Sequence, residues 1–463
     1  MQARRVSSAE GYAGNGLPRR DLWLLLGALG VLVLVTVPSL GAEPWNFRPG
    51  AVDATGPFAA FVRGADGAWD TEAVRAPALL AGLVVALAAA AAPFRAAWPR
   101  WLAVGVTAAV VCLLAVPAVV LQAGLRQSSA PWFFTNDSTY QIELAGDLLR
   151  DGENPYGHDY SRSGLERFYS LDGGVSERTR DEQVALRHFA YFPGTALTAA
   201  AWSALPKPWS DYRFFVLLTT LAGLAASLLF PGPLVRRLVL GAVVAGSPLA
   251  VRAAWFGTAD APSMLCTVLA FALVARRRLL WAAAALAAAV LLKQFALVAL
   301  PFLAVAVAQR EARRDALRAG ALFAAVVAAG LLPFLVWDAG ALWADTIEYG
   351  GRTYRIVGYG LSGLLVKAGL IDHRTDPYPF VPLLVVLWLP LTGWLLWVQR
   401  RARDLWPAAA GFAASIFFLV FLGRVFQGSY LVWPLVAIAM AAVLAAEREP
   451  GRAREAEPPR RPP

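Results

Sequence analysis

The chain has 463 residues, of which 58% are hydrophobic and only 16% charged, with a formal net charge of +10. A soluble domain carries about 25% charged residues, so a water-solvated globular enzyme is excluded and lipid is the expected solvent. The positive charge sits in short clusters between apolar runs, as membrane topology requires, which removes nucleic acid as the partner a basic chain would otherwise imply.

In chain order, residues 1–20 read as a disordered cytoplasmic tail ending in Arg19-Arg20. The apolar run at 22–40 exceeds the ~7–15 residues of a cleavable signal core and reads as a retained signal-anchor helix. Runs at 78–93 and 101–125 complete an N-terminal set of transmembrane helices over residues 21–125. A polar island follows at 126–190. A second set of apolar runs lies between 191 and 446, and a Pro-, Arg- and Glu-rich tail at 447–463 reads as disordered and cytoplasmic. Runs near or above ~18 apolar residues can cross a bilayer. Counted with the shorter runs, they predict an all-α polytopic integral membrane protein of about 11–13 transmembrane helices.

The basic clusters at Arg276–Arg278, Arg310–Arg318 and Arg400–Arg403 belong in the cytoplasm. That places the island, Lys293-Gln294, the loop at 337–379 and the loop at 423–429 outside. Counts from the two ends conflict between Tyr191 and Trp255, where three apolar runs lie and an even number is needed. Either a boundary is misplaced or one run is re-entrant or broken, and Phe192–Leu205 is the weakest of the three. Cys112 and Cys266 lie in apolar runs and read as buried small hydrophobes. No cysteine–histidine cluster has zinc spacing, and neither metal nor other cofactor is expected. Trp132, Trp255, Trp337 and Trp343 fall near predicted helix ends and read chiefly as interfacial anchors.

The chemistry concentrates in the island. Apolar or small residues at Ile142, Leu144, Ala145, Leu148 and Leu149 alternate with Glu143, Asp147 and Arg150. That pattern predicts an amphipathic interfacial helix over 139–150. Asn136, Asp137 or Ser138 can cap it, and Asp137 reads equally as a surface carboxylate able to take a proton from an attacking hydroxyl. Gly152 to Tyr156 closes the helix with a glycine stop and a proline turn. Downstream, Lys293 interrupts a long apolar run, and an ionisable residue at membrane depth is a functional candidate; a snorkelling interfacial lysine is its plain alternative. Asp260 reads as a helix cap or as a second carboxylate for sugar hydroxyls.

The series Asp137, Tyr140, Ala145, Leu148-Leu149, Gly152-Glu153-Asn154-Pro155-Tyr156 and Tyr191-Phe192-Pro193 resembles the polytopic GT-C glycosyltransferases. It is most similar to the polyprenyl-phosphate-mannose-dependent, glycosyltransferase family 87-like enzymes. Gly257 with Asp260, Leu292-Lys293-Gln294 running to Pro301, and Arg424, Gln427 and Tyr430 extend the likeness over 128–446. The chain departs from it in having two helices before the one that leads into the motif loop. It also carries Gly257-Thr258-Ala259-Asp260 where a Gly-Gln pair is usual.

The resemblance implies a GT-C-like bundle with an extracytoplasmic loop carrying the interfacial helix. It implies transfer of a sugar, with mannose favoured, from a polyprenyl-phosphate donor to a glycan or glycolipid hydroxyl. Asp137 takes the role of base. Positive charge must meet the departing lipid phosphate, for which Lys293, Arg424, Arg352 and His188 are the candidates, with Arg355 beside Arg352. Asn136, Tyr140, Tyr156, His158, Asp260, Gln427 and Tyr430 are candidates for the sugar and acceptor. A transporter or flippase for a lipid-linked or anionic solute is the alternative, and a membrane scaffold a third reading. The lack of a visible inverted repeat and the length of the polar island favour the enzyme.

Overall fold

A computed structural model describes residues 16–40, 57–60, 71–94, 98–127, 135–168 and 186–446. Trp132, the tail residues 1–15 and the tail at 447–463 lie outside these residues. The described chain is helical apart from two short strand pairs, as an all-α membrane protein should be, because a helix satisfies its own backbone in lipid.

Helices α1 (Arg19–Ser39), α2 (Thr71–Ala91) and α3 (Arg100–Gln127) pack together. Leu25, Leu29, Val110 and Leu114 are fully buried between them and α7 (Leu234–Gly246) and α8 (Pro248–Phe256). Trp255 belongs to this core rather than to an interfacial belt, whereas Trp337 and Trp343 are exposed. A second core joins α9 (Asp260–Ala275), α10 (Leu279–Leu292), α11 (Ala299–Arg310), α15 (Trp406–Leu422) and α16 (Val432–Ala445). Alanine dominates α10, and Ala282, Ala287 and Ala289 are buried. Small residues let backbones approach, which is what associates helices where lipid is as apolar as the protein. Cys112 faces outward from the bundle and Cys266 is only half-buried, so the expectation of two buried thiols fails for Cys112.

Among the described residues six helices are long and apolar enough to cross a membrane, seven if the bent pair α7–α8 is taken as one span. Five shorter apolar helices stand among them: α6 (Tyr212–Ser227), α9, α10, α15 and the segment Gln294–Arg310. Several of the runs counted as spans are therefore helices under the ~20 residues a full crossing needs.

The weakest of the three conflicting runs forms α5 (Pro193–Trp202). This helix has only ten residues and lies against α4 (Asp137–Arg150) rather than spanning. A Cβ added at Gly146 of α4 would stand 2.7 Å from the Ala199 carbonyl carbon, so glycine is what allows the two helices this contact. With α5 set aside, the short helix α6 and the bent pair α7–α8 remain between Tyr191 and Trp255. The basic ends then gather at one end of the bundle. Arg236 donates to the Ala446 carbonyl at 2.7 Å, Arg276 to the Leu229 carbonyl, and Gln309 to the Arg400 carbonyl at 2.8 Å.

Three further helices complete the described fold. Helix α12 (Arg313–Trp343) breaks at Asp338, whose Oδ1 accepts the Ala341 N–H at 2.9 Å and restarts the helix. It leads into a wide-turn segment, Ala344–Thr353. After α13 (Leu361–Lys367) comes α14 (Phe380–Gln399). Strand Val357–Gly358 pairs in parallel with Val425–Phe426 and ties the 344–379 loop to the 423–429 loop.

Candidate functional site

The platform is a third core beneath α4, built from Ile142, Ala145, Tyr156, Tyr160, Phe189 and Phe334 among others. The helix starts where expected. Asn136 is its cap, accepting the Thr139 N–H on Oδ1 at 2.6 Å. Asp137 is therefore the first helical residue and not the cap. Its Oδ1 accepts the Ser138 N–H at 2.8 Å and it remains half-exposed. A carboxylate in a helix's first turn is stabilised by the helix dipole.

Glycine at 257 brings the rest of the site to that helix end. Gly257 has φ 69°, the left-handed conformation that closes α8, and a Cβ there would stand 2.8 Å from Thr139 Oγ1. Thr139 in turn donates to the Phe256 carbonyl. The turn delivers Asp260, in the first turn of α9. Asp260 caps nothing: it is 1% exposed and receives Lys293 Nζ at 2.7 Å and the Trp433 indole N–H at 2.8 Å, all on Oδ1.

Lys293 is not a snorkelling lysine. It ends α10, is buried, and its ammonium lies 5.1 Å from the Phe295 ring centroid, 5.2 Å from Tyr430 and 6.0 Å from Tyr191. An ammonium within about 6 Å of aromatic faces gains cation–π attraction. The neighbouring Gln294 holds this corner by donating to the Ala190 carbonyl at 3.1 Å.

Tyr191 links the two carboxylates. Its hydroxyl is hydrogen-bonded to Ser138 Oγ. Burial raises its pKa above the usual phenol value; the Ser138 bond opposes that rise, and the charges of Asp260 and Asp137 reinforce it. Tyr191 is thus within electrostatic reach of both. Tyr156 sits behind it, donating its hydroxyl to the Tyr191 carbonyl at 2.8 Å while its ring packs on Phe189 and Phe334. Tyr156 supports the site from the core.

His188 forms a second wall. Its Nδ1 meets Asp345 Oδ1 at 2.7 Å, and its ring stacks on Tyr349 at 4.8 Å. Asp345 is buried and also accepts the Gly157 and Phe189 N–H groups at 3.0 and 3.1 Å. One carboxylate thereby fixes the island, His188 and the wide-turn segment together.

The other candidates are placed differently. Arg424 is buried and donates to the Tyr354 carbonyl at 2.7 Å and the Asp376 carbonyl at 3.2 Å, so it braces two loops. Arg352 and Gln427 are exposed, and Arg355 is half-buried. His158 packs edge-on to Tyr160 at 4.9 Å. Tyr140 donates to the Ser163 carbonyl at 3.1 Å and lines a separate cavity beside α4. Tyr430 joins the Lys293 cage. The structure thus brings together Asp137, Tyr191, Asp260, Lys293 and Tyr430, with His188 on Tyr349 alongside. It adds Ser138, Phe295, Trp433 and Asp345, which carry no sequence signal beyond a tryptophan in an apolar run and an acid in a loop. Among the described residues no three His, Cys, Asp or Glu side chains group as a metal site.

Glycosyltransferase family 87 matches residues 189–423, just over half of the chain. The matched stretch contains Tyr191, Asp260, Lys293 and Asp345; Asp137 and Trp433 lie outside it. No curated protein and no solved structure matches the chain. The family match spans more than half of the chain and the helices long and apolar enough to cross a bilayer make it a multi-pass membrane protein, so the chain belongs to glycosyltransferase family 87.

Proposed function

We propose that this glycosyltransferase moves a sugar, mannose in the first instance, from a polyprenyl-phosphate donor to a glycan or glycolipid hydroxyl on the extracytoplasmic side. The single observation that carries the reading is the Lys293–Asp260 pair beside Asp137. A buried ion pair costs desolvation that only good geometry offsets. Placing one where short helices end, at the opposite end of the bundle from the basic loops, makes sense if the ammonium meets an anion there. Topology supports the side: the Arg-rich end is the cytoplasmic one by the positive-inside rule, and the site is at the other.

In this reading the donor lies with its lipid chain among the helices and its phosphate near Lys293. Asp260 accepts one of the three ammonium protons and leaves two for phosphate oxygens. His188, oriented by Asp345 through Nδ1, can donate Nε2–H to the same anion when both ring nitrogens carry protons. The acceptor hydroxyl gives its proton to the Asp137 carboxylate as its oxygen bonds to the anomeric carbon. The bond from that carbon to the phosphate oxygen breaks, and polyprenyl phosphate leaves with its charge met by Lys293. One displacement inverts the anomeric centre.

The test is Asp137→Asn in purified protein with a labelled polyprenyl-phosphate sugar. The substitution is isosteric and loses about 0.3–1 kcal/mol of helix-dipole stabilisation, so folding is retained. Transfer should fall by about 10²–10⁴, the usual worth of a positioned base. Turnover near that of the wild type would remove Asp137 from the reaction.

A further inference from the structure

A cavity of about 400 Å³ runs along α4. Tyr140, Leu144 and Asp147 line it. With 3.6 residues per turn these share one helix face with Asp137, so the cavity begins about one turn beyond the proposed base. Its opposite wall is the end of α3 and the turn before α6, including Gln127, Lys207 and Ser210.

The floor is rigid. Arg126 pairs with both Glu143 oxygens and lies 3.2 Å from Asp211 Oδ2. Arg213, fully buried, clasps Asp211 from behind at 2.9 and 2.5 Å and donates to Gln122 at 2.7 Å. Asp211 is saturated by these donors, whereas Glu143, which also accepts the Tyr212 N–H at 2.9 Å, keeps one acceptor site. Two more polar groups stand at the rim, since Asp147 and Lys207 are exposed. Gln127 supplies a sharper signal: among the described residues its buried Oε1 has no hydrogen-bond partner. A buried acceptor of that kind is satisfied when a ligand hydroxyl or a water donates to it.

The charges decide the class of ligand. Two cations, Arg126 and Lys207, are interleaved with three carboxylates, Glu143, Asp147 and Asp211. A phosphate would meet the carboxylates and an ammonium would meet the cations. A neutral molecule rich in hydroxyls can donate to Asp147, to Glu143 and to Gln127, accept from Lys207, and lay a C–H face on Tyr140.

We propose that this cavity is the acceptor subsite, binding a neutral oligosaccharide along α4 so that its terminal hydroxyl reaches Asp137. The assignment rests on the acceptor chemistry proposed above. It makes the recognised part of the acceptor sugar rather than lipid phosphate or peptide.

The test uses two readouts. The first is maleimide labelling of Ser210→Cys in a Cys112→Ser, Cys266→Ser background, with neutral manno-oligosaccharides of increasing length and their phosphorylated counterparts as competitors. Neutral probes should slow labelling, longer ones more than shorter, and phosphorylated ones less. The second is the acceptor KM in the transfer assay. Ser210→Trp fills the cavity and should raise KM about tenfold or more, equivalent to about 1.4 kcal/mol of binding. The exposed pair Asp147→Ala, Lys207→Ala should raise KM about three- to tenfold with an unaltered melting temperature. Absence of protection together with a KM within twofold of the wild type in both variants overturns the subsite. Tighter protection by the phosphorylated probes overturns its neutral character. Protection without any transfer in the wild type leaves the subsite standing and rejects the transfer reaction instead.

Discussion

Replacing Lys293 with methionine isolates the most consequential contact in the site. The substitution keeps an unbranched side chain and removes the ammonium that lies 2.7 Å from Asp260 Oδ1. At that separation and an effective dielectric near 20, the attraction is about 6 kcal/mol, most of it spent against desolvation. The larger effect is on what remains. Asp260, 1% exposed, is left with the Trp433 indole as the other partner of that oxygen. Stranding a buried charge costs about 3–5 kcal/mol, and loss of the cation–π cage adds about 0.5–2 kcal/mol.

Asp260→Asn in the same chain removes the stranded charge while Oδ1 still accepts from Trp433. The double variant should therefore be more stable than Lys293→Met alone, with a coupling energy of about 2–3 kcal/mol in a double-mutant cycle. Unfolding in mixed micelles measures the stability, and calorimetric titration with polyprenyl phosphate measures donor affinity. Stability should return in the double variant and donor affinity should not, because the missing ammonium is what the phosphate meets. The reasoning fails if Lys293→Met is as stable as the wild type, or if the double variant is no better than the single.

Gly146→Ala should force α4 from α5, because the new Cβ has backbone of Ala199 and Ala200 2.7 Å away. A loss of about 1–3 kcal/mol is expected, with reduced transfer from a displaced Asp137; an unchanged melting temperature would show the contact to be slack. Acid stability should report Asp211. Burial alone would raise its pKa, but Arg213 and Arg126 outweigh burial and hold it below its ordinary 3.8. A depressed native pKa gives stability that is complete above the unfolded value and lost as pH falls through the native one. The melting temperature should therefore hold above about pH 5 and decline below about pH 4. Asp211→Asn should lower the plateau and flatten the decline, and an unaltered profile would remove Asp211 as the cause.

The apolar runs were readable because helix length and lipid solvation leave a simple pattern, and the amphipathic helix α4 was readable from its alternating residues. Lys293 and Asp260 stood out because charge is conspicuous in apolar surroundings. Their mutual contact was not legible, since no periodicity relates the end of α10 to the start of α9. The conflicting count between Tyr191 and Trp255 has a physical origin. The ten residues of α5, apolar or small but for Thr195 and Thr198, pack one side on α4, and composition alone does not distinguish that from half a span. Asn136, Asp137 and Ser138 can all cap a helix, so the backbone had to show which one does. Asp345 looked like any loop acid until its three donors converged on it.

Helices α12 and α14 bury little of their span windows within the protein, 11% and 6%. Their sides are left for acyl chains to fill, which makes the bilayer a packing partner for the two segments that carry the 344–379 loop. Acyl-chain length then acts on this enzyme as a mechanical setting: a thinner or thicker membrane tilts α12 and α14, and with them the mounting of His188, Asp345 and Tyr349.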